Sequence, residues 1–259
     1  MIVSEGGHWY QADGTPEYHQ EIKSGKNKGN LRATTLRDAR TKNLYPSVTT
    51  ILNIMDKPAL TNWKVEKSLE AAYEVDCGGL TYPEWRNALR EFDAQRQAQD
   101  AADKGTEIHC ILEQYFETGE VSKEDYMLTE AVEDELIVLG KNDWLAEKSC
   151  ASEAGFAGKV DLHSDRWVID FKTKDGDLSN VKCYDDHFRQ LAAYSYALPI
   201  HKDAQCANLF ISRDTVDDDG VPIVKLIKHT HEQTQRGLNE FLSILQTWQQ
   251  IKEYKPDES

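Results

Sequence analysis

Two aspartates nine residues apart, Asp161 and Asp170, stand in the stretch GKVDLHSDRWVIDFKTK, with Lys172 two places after the second. Their neighbours are valine, isoleucine, leucine and tryptophan, so both carboxylates fall in segments that read as buried strand. An isolated buried charge is strongly disfavoured and is normally paired or excluded. With a tight turn at Ser164-Asp165 the two carboxylates come onto adjacent strands, and counting by twos sets Asp170 and Lys172 on one strand face. Asp oxygens are hard ligands suited to Mg²⁺ or Mn²⁺. Such a cation polarises a phosphoryl oxygen and supplies hydroxide near neutral pH, while a lysine stabilises the charge that develops. Compensation by a cation would explain two half-buried carboxylates. On that view either Asp→Asn change should leave the metal-free fold neutral or more stable. Alone, however, a D-x-K triplet is better explained by two surface aspartates and an exposed lysine.

Its company along the chain lifts it. GTEIHCILEQYFETG places His109 and Glu113 four residues apart, on one helical face, and RQLAAYSYAL does the same for Gln190 and Tyr194. Taken in order, Gly105-His109-Glu113, Gly158-Asp161, Asp170-Lys172-Thr173 and Gln190-Tyr194 resemble the motif series of the RecB-type branch of the PD-(D/E)xK nuclease superfamily. YPSVTTIL followed by LTNWK is similar to the upstream segment of the mitochondrial genome-maintenance exonucleases and their phage-encoded relatives. The resemblance spans about residues 45 to 198.

The resemblance implies a restriction-endonuclease-like core sheet flanked by helices. It also implies a divalent cation, Mg²⁺ or Mn²⁺, held by His109, Asp161, Asp170 and the backbone carbonyl of Phe171. Lys172 would act on the attacking water or the developing charge, and Gln190 and Tyr194 would line the site. Glu113 and Glu153 would stand behind the ligands. Ser47, Thr49 and Thr173 would offer hydrogen bonds to phosphate, although Ser47 equally fits a plain helix cap. The implied activity is phosphodiester hydrolysis, exonucleolytic on single-stranded DNA, in replication, recombination or repair, with proteins of those processes as further partners. A structure-specific endonuclease and a non-catalytic DNA mimic on a nuclease-like fold are the alternatives. Some RecB-type nucleases tie an iron–sulfur cluster with three clustered downstream cysteines. Only Cys206 follows the Gln190-Tyr194 segment here, so no such cluster is expected. No G-x-x-x-x-G-K-[ST] loop occurs that would indicate a fused helicase.

These residues need elements to hold them. Residues 1 to 45 read as short edge strands and loops. Helical periodicity then runs from Ser47 to about residue 140, broken at the glycine pair Gly78-Gly79 and kinked or divided at Gly105. Three consecutive strands follow, then a helix over DHFRQLAAYSYALPI, a strand pair around VDDDG, and an amphipathic C-terminal helix. The order gives a mixed α+β fold with a helix-rich N-terminal segment, residues 1–104, before a nuclease core, 105–259, in one compact unit. Trp63, Tyr73 and Trp85 in the helical segment could stack bases or simply fill a core.

Composition bounds the rest. The 259 residues carry a net charge of −15, which runs against the basic surface usual for nucleic-acid binding. Between Lys23 and Lys42, seven basic residues face only Asp38, so that window is +6 and the remainder −21. It is either a solvated loop or a basic arm, with Lys26, Lys28, Arg32 and Arg37 as its DNA contacts. Five scattered cysteines without a CxxC pair, no run of about 18 apolar residues and no secretory signal fit an intracellular protein with no membrane span. A bacterial or phage-infected cytoplasm suits it, and an organelle is compatible.

Overall fold

The computed structural model describes residues 7–74, 78–92 and 94–257. They form two compact units, Met1–Ile54 with Ile111–Ser259, and Met55–Cys110. No described helix is long and apolar enough to cross a membrane.

The first unit begins with β1 (Trp9–Tyr10), β2 (His19–Glu21), β3 (Leu31–Ala33), α1 (Leu36–Lys42), β4 (Tyr45–Pro46) and α2 (Val48–Leu52). The strands and loops match expectation; α1 does not. Seven residues are too few to show a helical period. Local chemistry fixes it instead, because the Thr35 backbone N–H donates to Asp38 Oδ2 at 2.9 Å and Asn43 ends the helix in the left-handed region. Ser47 caps α2 by accepting the Thr50 N–H at 3.0 Å.

The second unit contains α3 (Pro58–Glu74), α4 (Tyr82–Phe92) and the start of α5 (Ala94–Thr118). Gly105 does not divide α5, which continues past it into the first unit at Ile111. Tyr73 is 92% exposed and Trp63 39%, so neither is a core residue, whereas Trp85 is half-buried.

The first unit continues with α6 (Tyr126–Leu136), β5 (Leu145–Ser152), β6 (Phe156–His163), β7 (Trp167–Lys174), α7 (Asp185–Ala197), β8 (Gln205–Val216), β9 (Pro222–Lys228) and α8 (His231–Lys252). The five long strands make one sheet in the order β5-β6-β7-β8-β9, antiparallel except for the parallel pair β7–β8, which α7 connects. This is the expected mixed α+β fold. A parallel pair needs such a crossover, and strands buried on both faces read as near-continuous apolar runs, as WVIDF and CANLFIS do. Leu191 and Tyr194 of α7 pack with Phe241, Leu245 and Trp248 of α8 over Val160, Val168 and Cys206 of the sheet. Each large apolar side chain buried there contributes about 1.5–3 kcal/mol.

Candidate active site

The sheet is divided unevenly, and the division makes the site. β6 pairs with β5 from end to end except at Asp161, but with β7 only at Leu162↔Ile169 and His163↔Val168, next to the turn that Ser164 closes. The next rung would set Asp161 opposite Asp170. Instead the ladder stops, β7 continues with β8, and the Asp161 carboxylate takes up the exposed backbone polarity: its Oδ2 accepts the Phe171 N–H at 2.7 Å. The turn expected from sequence therefore does bring the two aspartates to adjacent strands.

Asp170 is only 2% exposed, and it is not unpaired. Its Oδ2 lies 2.7 Å from Lys172 Nζ and accepts a 2.7 Å hydrogen bond from Asn208 Nδ2. Here the expected compensation by metal alone is corrected, because the chain supplies two donors of its own. Lys172 Nζ also donates to Gln190 Oε1 at 3.2 Å, and Gln190 Nε2 donates to the Tyr194 hydroxyl at 3.2 Å. A half-buried chain of contacts thus runs from Asp170 through Lys172 and Gln190 to Tyr194. Burial is the largest influence on the Lys172 ammonium and pulls its pKa down. The charges of Asp170 and Asp161 outweigh it, so the net shift is upward and the lysine stays protonated. Burial, reinforced by Asp170, pushes the Tyr194 hydroxyl well above its usual value and keeps it neutral.

The spacing of two motifs has a steric reason. A Cβ added at Gly158 would lie 2.4 Å from Tyr194 Cε1, so the glycine before Asp161 lets the tyrosine ring seat against β6. Gly158→Ala must displace a ring that is 5% exposed, and we expect a loss of about 1–3 kcal/mol in stability. Urea unfolding measures it, and an unchanged midpoint would mean that the Tyr194 contact is not needed.

Sequence reading missed Glu147. On β5 the register steps from Ala146↔Leu162 to Lys148↔Val160, leaving Glu147 at φ 48° across from Asp161. That conformation is costly for a residue with a Cβ and is often found at functional sites. A carboxylate oxygen of Glu147 and one of Asp161 lie within 4.8 Å of each other. Lys159 pairs with Glu147 and lies 3.5 Å from Glu113. The only sequence sign of Glu147 was a charge inside a strand, which many surface strands share.

Other expected residues fall elsewhere. Thr173 Oγ1 accepts from Arg213 at 3.2 Å. Ser47 is a buried cap, and Thr49 is exposed beside it. Glu153 is exposed in the β5–β6 turn. In the basic window Arg32 is held by Asp38 through two short hydrogen bonds of 2.6 and 2.7 Å, and Lys42 by Glu17 at 2.6 Å. Lys26, Lys28 and Arg37 are exposed. His109 lies on α5, one turn before Glu113.

Two oxygens from different strands, close together and backed by lysines, fit a hard divalent cation in their donor chemistry. No protein-family model matches the chain, and no curated protein matches it. Among solved structures the chain is similar to a candidate exonuclease from Eubacterium rectale, at 13% identity and TM-score 0.42, over 60% of this chain and 70% of that one. It is also similar to an alkaline exonuclease from Laribacter hongkongensis, at 15% identity and TM-score 0.34, over 49% of this chain and 68% of that one. At this level of likeness the chemistry has to be read from the residues themselves.

Proposed function

We propose that this chain is a Mg²⁺- or Mn²⁺-dependent deoxyribonuclease of the RecB-type PD-(D/E)xK kind, acting on the ends of single-stranded DNA in replication, recombination or repair. The observation that carries the proposal is the meeting of Asp161, Asp170 and Lys172 where β6 and β7 part, with Asp161 bonded to the Phe171 N–H and Lys172 to Asp170. Asp161, Asp170 and the Phe171 carbonyl would hold the cation, with Glu147 as a further oxygen. When bound, the cation supplies Lewis-acid polarisation of a phosphoryl oxygen and a water acidic enough to attack.

The chain's own part is positioning and charge. Lys172 presents a permanent ammonium whose direction is set by Asp170 on one side and Gln190 on the other. It can meet negative charge as it builds on the phosphoryl oxygens, a contact worth most in the transition state. Tyr194, neutral and buried, anchors Gln190 and so fixes the lysine at one remove. Exposed Lys26 and Lys28 on the β2–β3 hairpin offer phosphate contacts on an otherwise acidic chain.

The helical unit Met55–Cys110, carrying exposed Trp63 and Tyr73, is the candidate element for taking hold of a flexible strand. Cleavage should then require a free end. With Mg²⁺, linear single strands should shorten to small oligonucleotides while closed single-stranded circles of the same sequence persist. Equal initial rates on the two would favour the endonuclease reading instead.

A further inference from the structure

Behind Asp170 lies a second set of polar groups that the proposed chemistry has not used. Asn208 stands opposite Asp170 in the parallel β7–β8 register and is fully buried, a lone amide in an otherwise apolar run. Its Nδ2 is 2.7 Å from Asp170 Oδ2, and its Oδ1 is 2.7 Å from His229 Nε2. The chemistry of the ends fixes the roles of the middle. A carboxylate that already receives Lys172 at 2.7 Å can only accept, so the amide nitrogen must face it. The amide oxygen then faces His229, whose Nε2 must carry the proton. Cys183 Sγ lies 3.6 Å from the same oxygen, and burial pushes its thiol up to about 11, so it too is a donor. Burial pulls His229 down to about 4, which leaves the ring neutral with its proton on Nε2.

His229 is itself held firmly. It follows β9, its backbone N–H donates to the Cys206 carbonyl at 2.8 Å, its ring packs on Phe188 of α7, and Thr230 directly after it caps α8. An aspartate's terminal torsion is soft, and a metal-holding carboxylate needs its plane fixed from behind. We propose that Asn208 and His229 are positioning residues for the metal-binding carboxylate of Asp170: His229 orients the Asn208 amide, and the amide, with Lys172, fixes the direction of the carboxylate. This rests on the nuclease reading above.

The test compares His229→Leu, which removes the donor, with His229→Gln, whose side-chain amide restores a donor near the position of Nε2. Both are made in the full chain, with thermal unfolding as a control. Two quantities are read: Mn²⁺ affinity by calorimetry without DNA, and kcat and KM on a linear single strand with Mg²⁺. For His229→Leu we expect Mn²⁺ affinity and kcat each to fall by about tenfold, with KM within about twofold. His229→Gln should return both to within about threefold of the unsubstituted chain. Equal impairment by Leu and Gln, or no change in either variant, overturns the proposal. Should His229→Leu not fold, His229→Asn, polar but too short to reach the amide oxygen, replaces it, and the same outcomes support or overturn the proposal. An unsubstituted chain that neither binds Mn²⁺ nor cleaves overturns the nuclease reading and this inference with it. One that does both, beside unaffected variants, overturns the positioning role alone.

Discussion

Lys172→Ala should lower turnover on linear single-stranded DNA by about two to three orders of magnitude, while the dissociation constant for the strand changes no more than a few-fold. The ammonium is held 2.7 Å from Asp170 and 3.2 Å from Gln190, so it is oriented before substrate arrives. An oriented charge that meets the phosphoryl group chiefly as charge develops acts on kcat rather than on ground-state binding. Single-turnover rates beside binding titrations in EDTA separate the two quantities. Near-normal turnover in the variant would remove Lys172 from the chemistry. Loss of binding in proportion to rate would make it an ordinary phosphate contact.

Asp170→Asn should destabilise the metal-free chain by about 2–3 kcal/mol, in addition to removing an oxygen ligand. Sequence alone points the other way, because neutralising an unpaired buried charge that awaits a cation would relieve the fold. The structure supplies Lys172 and Asn208 as partners. Neutralising Asp170 would therefore leave a largely buried ammonium without its hydrogen-bonded counter-charge and weaken the hydrogen bond from the Asn208 amide. Asp161→Asn differs. Its oxygen accepts a backbone N–H, which an asparagine oxygen also does, so metal affinity should fall with little change in stability. Urea unfolding in EDTA and Mn²⁺ calorimetry on the two variants read these effects separately. Equal stability of both would contradict the ion pair, and unchanged Mn²⁺ affinity in both would contradict the ligands.

What could be read from the chain follows the range of the interactions. Asp170 and Lys172 lie on one strand, Gln190 and Tyr194 on one helix face, and Asp161 across one tight turn, so periods and a turn suffice to place them. Asn208 reaches Asp170 through parallel pairing across 38 residues, and no local pattern encodes that register. Glu147 meets Asp161 through the β5–β6 register, which pairs strands across a turn that the local pattern does not fix in length, and its left-handed backbone has no sequence signal. The basic window shows the converse case. Its seven cations are real, yet Arg32 and Lys42 are engaged by Asp38 and Glu17, one of them outside the window, so composition overstates the arm.

Everything turns on whether Asp161 and Asp170 bring a cation to a phosphodiester. The direct measurement is digestion of an end-labelled linear single strand by the purified chain and by Asp161→Asn, each in Mg²⁺ and in EDTA. Progressive shortening by the unsubstituted chain in Mg²⁺ alone, with Asp161→Asn inactive in both, is the expected result. Cleavage that persists in EDTA, or equal cleavage by the two proteins, would contradict it.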